Sequence, residues 1–410
     1  MGQLGQFISD GDAGGEDLVD RALRTVRSYL QMEVAYLSEF VDNTMVIRAV
    51  DAPGFEAIAH PGAAFDRDYT YCNKICAGDL PEVIPDTGRD PLAATLPITR
   101  DIPIGSHISL PIRRADGSIY GMLCCLSRDP HPSLNDRDLE MMRAFADISA
   151  TQVNDSIARR VRLETLQDRI DGALRERRFD IAFQPICNLA DSFVSGFEAL
   201  SRFRSDPYRP PNLWFAEAEE IGRGQELELA VIEQALAALP DLPAHTYLSV
   251  DASADTVASG ALLRRLTGVA AERLVVEITE HAEITDIAAL QAAMAALRIK
   301  GARIAIDDCG AGYSGLQQVV RLRPDIIKLD ISLTAGIDED RALRSLAAAM
   351  VHYAGETDAV IVAEGIETEG ELRTLRSLGI HKGQGYLLGR PQLLDRALEG
   401  MEDAKRMGAA

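Results

Sequence analysis

Arg303-Ile304-Ala305-Ile306-Asp307-Asp308 is an apolar run that stops on two adjacent carboxylates. Five more short acidic patches stand along the second half of the chain: Phe197-Glu198-Ala199-Leu200, Ser249-Val250-Asp251, Val276-Glu277-Ile278-Thr279-Glu280, Lys328-Leu329-Asp330 and Ala363-Glu364-Gly365. Most of them end a run of β-branched or aliphatic residues. A carboxylate just past such a run sits at the carboxyl end of a strand, where an α/β barrel builds its active site. Several such ends meeting at one mouth make a cage of oxygen ligands for hard divalent cations. The pattern reads as a metal-dependent enzyme.

Around these patches, from Phe179 onward, strand-like runs alternate with helical stretches. Leu248-Ser249-Val250, Leu274-Val275-Val276, Ile326-Ile327-Lys328-Leu329 and Val360-Ile361-Val362-Ala363 are separated by Ala- and Leu-rich segments such as Ile287 to Leu297 and Ala342 to Tyr353. Repeated β-then-α units imply a parallel sheet, and about 230 residues of them suit a (βα)8 barrel. A doubly wound open sheet competes on the repeat pattern alone.

The first half reads differently. Leu18, Ala22, Val26, Tyr29 and Leu30 have helical spacing, and short strand-like runs follow, among them Val34-Ala35-Tyr36-Leu37 and Met45-Val46-Ile47. Residues 107–112 and 119–126 flank Ala115-Asp116-Gly117 and predict a hairpin, since Asp-Gly favours tight reversal. A helix capped by Ser133 is expected next. Its apolar positions, from Leu139, Met142 and Phe145 on to Ile170 and Leu174, extend far past the hairpin. They predict either one amphipathic connector able to pair with its twin in a homodimer or two helices broken near Asn154.

At 410 residues the chain exceeds a single core, and two domains are expected. An apolar share of 47% and a charged share of 26% are those of a globular protein. The net charge of −21 argues against binding long nucleic acid, whose attraction requires clustered Lys and Arg. It is compatible with a small phosphate ligand, because carboxylates that hold cations become locally positive. No apolar run nears the roughly 20 residues that cross a bilayer, and Met1 to Gly15 lacks the pattern of a signal peptide. The expectation is a cytoplasmic protein without membrane insertion. The six cysteines suit reduced thiols, and Cys72 and Cys76 have no second pair at zinc-ligand spacing.

Helix, antiparallel strands and helix over residues 17–153 resemble a GAF domain, most clearly from Ile104-Gly105-Ser106 through Gly121-Met122-Leu123. The resemblance implies a sensory module for a small ligand of unknown identity, or a dimerisation module. It makes His107 a candidate haem ligand, set against an ordinary strand histidine.

The second half resembles the EAL domain, the cyclic di-GMP phosphodiesterase family. The resemblance is carried by an ordered set: Phe183-Gln184-Pro185, Glu198-Ala199-Leu200-Ser201-Arg202, Val276 to Glu280, Asp307-Asp308-Cys309-Gly310-Ala311-Gly312-Tyr313-Ser314, Asp325 to Asp330, Ala363 to Glu367 and Gln384 to Pro391. The fold implied is a modified (βα)8 barrel. The activity implied is hydrolysis of cyclic di-GMP to linear 5′-pGpG with two Mg²⁺ or Mn²⁺ ions. By this resemblance Glu198, Glu277 and Asp307 hold one metal, Asp307 bridges to the second, and Asp308 completes that site. Lys328 acts near the attacking water, either holding the hydroxide or shuttling its proton, or else pairs structurally with Asp330 or Asp308. Glu364 lies across the site. Gln184, Leu200, Arg202 and Gln384 contact substrate, while Glu280, Asp330 and Glu367 support the site loops. Adjacent aspartates on an extended strand point apart, so a turn starting at Asp308 is required for both to reach metal.

Two departures stand out. Asp251 replaces the family's usual Asn as a metal ligand, and its extra charge costs on the order of 1 to 4 kcal/mol beside a phosphodiester. Cys309 and Ala311 replace Phe and Thr in the loop after Asp308, which leaves a looser, redox-sensitive loop or simple repacking as alternatives. A barrel that binds cyclic di-GMP or a protein without turnover is the competing function. The organisation expected is a flexible segment over 1–16, the sensory domain over 17–153, a helical linker over 154–178, the barrel over 179–400 and a tail over 401–410.

Overall fold

The computed structural model describes residues 18–278, 286–310 and 314–408, apart from the side chains of 314–316 and 402–408. The expected segment 1–16, Glu280, Ala311 and Gly312 lie outside the described residues. The chain divides into two compact units between Arg162 and Leu163.

In the first unit, strands β1 (Val34–Val41), β2 (Thr44–Asp51), β3 (Ala64–Asp66), β4 (Val83–Ile84), β5 (Ser106–Arg113) and β6 (Ile119–Ser127) form one antiparallel sheet in the order β3-β2-β1-β6-β5-β4. Alternation gives each strand two apolar faces. Ala35, Leu37, Ile108, Leu110 and Ile112 pack on one side with Met142 and Ala146, while Val34, Tyr36, Met122 and Cys124 pack on the other. The helix Leu18–Leu30 buries Val19, Ala22, Leu23, Val26 and Leu30. Leu18 and Tyr29, expected on that face, are exposed, because a 3.6-residue period carries the buried stripe through Val19 and Leu23 instead.

The helix after the hairpin is single and unbroken over Asp136–Glu176, with no interruption at Asn154. Its cap is Asn135, not Ser133. Asn135 Oδ1 accepts from the Arg137 N–H at 2.9 Å, and Asp138 returns the bond to the Asn135 N–H at 3.0 Å. Ser133 stands two residues too early to reach the first free N–H groups.

The second unit is a closed eight-stranded barrel of β7 (Phe179–Asn188), β8 (Val194–Phe203), β9 (Tyr247–Asp251), β10 (Leu274–Ile278), β11 (Arg303–Cys309), β12 (Ile326–Leu329), β13 (Val360–Ala363) and β14 (Lys382–Gly383). Strand β7 runs antiparallel to both its neighbours, and every other pair is parallel. This is the modified (βα)8 barrel. Outward residues such as Leu248, Val276, Ile304, Ile306 and Ile361 meet the surrounding helices. Inside, Ile186, Val275, Ala305, Ile326 and Val362 make a small apolar layer of their own. The residues two positions further toward the carboxyl ends are Glu277, Asp307, Lys328 and Glu364, so one alternation supplies both the plug and the polar mouth above it. The last helix, Leu394–Gly408, runs across the boundary expected at residue 400.

All six cysteines are free. Cys72 Sγ lies 3.5 Å from Cys124 Sγ, and Cys76 Sγ lies 3.4 Å from Met122 Sδ. Cys72 and Cys124 are interior thiols of the sheet's second face. His107 is interior too, only 1% exposed and stacked on Tyr71 at 4.8 Å, with neither ring nitrogen hydrogen-bonded.

Burial pushes His107 down to about 4. An unfolded chain takes up this proton near pH 6.5, while the native ring refuses it until about pH 4. The contribution is therefore complete above about pH 6.5 and is lost as the pH falls toward 4, by up to roughly 3 kcal/mol. His107→Phe is expected to flatten the loss of thermal stability between about pH 7 and about pH 4.5. An unchanged slope in melting experiments would contradict this.

Candidate active site

Lys328 is 1% exposed and stands at the centre of the barrel mouth. Its Nζ lies 3.2 Å from Glu198, 2.5 Å from Glu277, 3.1 Å from Asp307 and 2.7 Å from Glu364. Burial alone would lower this lysine, but the four carboxylates outweigh it and hold the ammonium well above its ordinary range. The alternative reading, a structural pairing with Asp330 or Asp308, gives way to this ring of four. Asp330 turns away to cap the helix Ile331–Thr334 by accepting from the Ser332 N–H at 2.9 Å.

Each acid arrives from its own strand. Glu277 stands opposite Asp251 in the β9–β10 register, and Glu198 stands opposite Gln184 across β7–β8. Ser249 donates to Glu277, fixing the carboxylate that also meets Lys328. Asp308 has a φ of 55°, and the β11–β12 register slips between Ile306 and Cys309. A left-handed residue is thus the turn that lets adjacent aspartates face one mouth, and Asp is among the few side chains that tolerate it. After Glu364, Gly365 takes a φ of 65°, and a Cβ there would lie 2.3 Å from Ile331 Cγ1.

Two groups of carboxylates result, each with one oxygen per residue inside a 4.8 Å cluster. One is Glu198, Asp251, Glu277 and Asp307; the other is Asp307, Asp308 and Glu364. Asp307 belongs to both. Its Oδ1 lies 3.1 Å from the Lys328 ammonium yet forms no hydrogen bond. An all-oxygen, anionic donor set of this kind fits Mg²⁺ or Mn²⁺. Glu364, expected across the site, joins the second group.

So many acids in one place resist ionisation. Burial, reinforced by the charges of Glu198 and Asp307, pushes Asp251 up to about 8. Part of Asp251 is solvent-exposed at the rim, but one carboxyl oxygen is turned into the cluster of acids. Burial likewise pushes Glu364 up to about 8 against the pull of Lys328, and raises Glu277 well above the carboxylate range.

The remaining candidates spread over several environments. Gln384 donates to Glu198 at 2.6 Å and to Glu364 at 3.0 Å, so its amide N–H groups serve the acids and only its carbonyl is left for a ligand. Gln184 Nε2 donates to the Gly389 carbonyl at 3.1 Å. Leu200 and Arg202 alternate with Ala199 and Ser201 and share the inward face of Glu198, where Arg202 Nη1 meets the Ser201 carbonyl at 2.8 Å. A cleft of about 240 Å³, bordered by Ala199, Ser201, Phe215, Glu228 and Asp251, opens beside them. Cys309 is buried among the core residues between strands and helices.

Two supporting residues escaped the sequence reading. Glu367 is exposed, and the loop after Glu364 is held instead by Glu371, which accepts from the N–H groups of Gly336, Glu367 and Thr368. Burial would raise Glu371, but these bonds prevail and lower it. The Thr368-Glu369-Gly370-Glu371 capping box was the available signal. Ser249 was the other, visible only as the middle of an apolar strand.

Residues 167–391, more than half of the chain, match the EAL domain family, and residues 15–153 match the GAF domain family. The chain belongs to the EAL-domain family. Its EAL barrel resembles the cyclic di-GMP phosphodiesterase NbdA of Pseudomonas aeruginosa, at 32% identity over 257 residues, 60% of this chain and 33% of that one. It also resembles the cyclic di-GMP phosphodiesterase PdeF of Escherichia coli K12, at 26% identity over 58% of this chain and 33% of that protein. The chain thus spans about a third of the length of these curated relatives. A solved PaMucR phosphodiesterase, in complex with c-di-GMP, matches at 27% identity and a TM-score of 0.52 over 57% of this chain and 99% of that one. Among the described residues, no helix is long and apolar enough to cross a membrane.

Removing the central cation leaves the acids of the EAL site uncompensated. Lys328→Met is expected to lower stability by about 3 to 5 kcal/mol in EDTA. Manganese should restore much of that loss. Melting with and without MnCl₂ checks it, and an EDTA melt equal to that of the unsubstituted chain would refute the pairing.

Proposed function

We propose that this chain hydrolyses cyclic di-GMP to the linear 5′-phosphorylated dinucleotide pGpG in a metal-dependent reaction. The observation that carries the reading is the pair of carboxylate groups sharing Asp307, with Lys328 between them. Glu198, Asp251, Glu277 and Asp307 would hold one Mg²⁺ or Mn²⁺, and Asp307, Asp308 and Glu364 the other. Cations held there supply activated water and positive charge for the phosphoryl oxygens.

The chain's own groups do the rest. Lys328, ringed by four carboxylates, would act as a positive donor toward the phosphoryl oxygens and the attacking water. Glu364 would lose its proton on meeting the cation and serve as one of its ligands. Water adds to phosphorus, the bond to one 3′-oxygen breaks, and that oxygen leaves protonated. Arg202 would clamp a phosphate oxygen, and Leu200 with the Gln184 and Gln384 carbonyls would offer surface to a guanine. The GAF domain would regulate turnover through a small ligand, in a cytoplasmic homodimer.

A second reading, binding without turnover, is favoured by Asp251 alone, since its charge opposes an approaching phosphodiester. Chromatography of cyclic di-GMP after incubation with the chain and Mg²⁺ or Mn²⁺ distinguishes them. Linear product is expected, reduced at least about 100-fold by Glu198→Gln, the equivalent of ~3 kcal/mol of barrier. Asp251→Asn should raise the rate. Tight binding without product, converted to turnover by Asp251→Asn, would select the receptor reading.

A further inference from the structure

Inside the barrel, at the end opposite the acidic mouth, two cations stand together. Tyr247, Arg303 and Lys382 open strands β9, β11 and β14 and share the inward alternation of Asp251, Asp307 and Gln384. The Arg303 guanidinium lies 4.6 Å, and the Lys382 ammonium 4.5 Å, from the centroid of the Tyr247 ring. One face of that ring is closed by β8, because a Cβ on Gly196 would stand 2.7 Å from Cε1, Cε2 and Cζ alike. Both cations therefore occupy the other face, close to one another.

Neither cation has an ion pair or a side-chain hydrogen bond among the described residues. Both are half-buried and reachable from solvent. The mouth cannot neutralise them at contact range, since Val275, Ala305, Ile326 and Val362 lie between the two ends. Tyr247 is 5% exposed, and its hydroxyl has no partner, while Ser195 nearby donates to the Ile186 carbonyl at 3.1 Å. Burial, with the repulsion of Arg303, brings Lys382 down to about 8. Cation–π attraction offsets part of this strain but gives neither cation an acceptor.

We propose that the amino-terminal end of the barrel binds a phosphate-class oxyanion between Arg303 and Lys382, with the Tyr247 ring as the platform that sets their spacing. An oxyanion brings the charge and the acceptors that the pair lacks. A guanidinium fork beside a mobile ammonium suits its tetrahedral oxygens. The site is separate from the carboxylate mouth and does not rest on catalysis there.

The test uses the full chain in EDTA at constant ionic strength, with inorganic phosphate as the probe and calorimetry and thermal melting as readouts. Phosphate is expected to bind one per chain and to raise the melting temperature above that in matched chloride. Lys382→Met and Arg303→Gln, on different strands, should each weaken binding roughly tenfold or more. Glu198→Gln, at the far mouth, should leave it unchanged. A parallel titration with adenosine 5′-monophosphate separates sources: tighter binding than inorganic phosphate assigns a phosphomonoester, and weaker binding assigns the free ion. No response beyond chloride overturns the proposal. So does an equal response in whichever of the two cation variants melts cooperatively.

Discussion

One buried ammonium surrounded by four carboxylates governs the barrel. Lys328 could not be kept charged at 1% exposure without those acids, and the acids could not be gathered within a few ångströms of one another without it. The balance is incomplete by design of the donor set. One positive charge faces five or more carboxyl groups, and the excess is absorbed by protons on the most crowded of them, notably Asp251 and Glu364. Such a site exchanges protons for cations, because a divalent ion relieves the same repulsion more fully.

The layering of the barrel interior follows from this constraint. Alternation along each strand places an apolar residue two positions below each polar one, so the plug of Ile186, Val275, Ala305, Ile326 and Val362 underlies the charged mouth. The plug keeps the dielectric low beneath Lys328, which strengthens every contact in the ring. Below it stand Arg303 and Lys382 on Tyr247, where positive charge gathers away from the acids. The barrel interior therefore holds acids at its carboxyl end and a pair of cations at its amino end.

Much of this was legible along the chain because strand ends announce themselves. Glu198, Glu277, Asp307 and Glu364 each follow an apolar run, and that pattern alone brings them to one face of a parallel barrel. Other features depend on what lies across space. Gln384 looked like a substrate contact, yet its amide is spent on Glu198 and Glu364, two acids 186 and 20 residues away in the chain. Asp330 was read as a support of the site loops, and what it holds is the first turn of the helix Ile331–Thr334, which no reading along the chain had named. Glu371 was passed over because its capping box reads as ordinary helix punctuation until the loop it holds is seen beside the mouth.

The sequence by itself determined the strand periodicity and the placing of acids at strand ends, because a two-residue alternation and a local stop signal need no distant partner, and its ordered set of motifs carried the family and with it the barrel. Only the tertiary structure decided which acids share a ligand group, that the expected turn at Asp308 is made by one left-handed residue beside a slipped register, that Lys328 pairs with Glu198, Glu277, Asp307 and Glu364, and that His107 is sealed against Tyr71. Those outcomes depend on ring closure and on register between strands far apart in the chain. Charge and burial at a point are sums over everything that arrives there, and no single segment carries that sum.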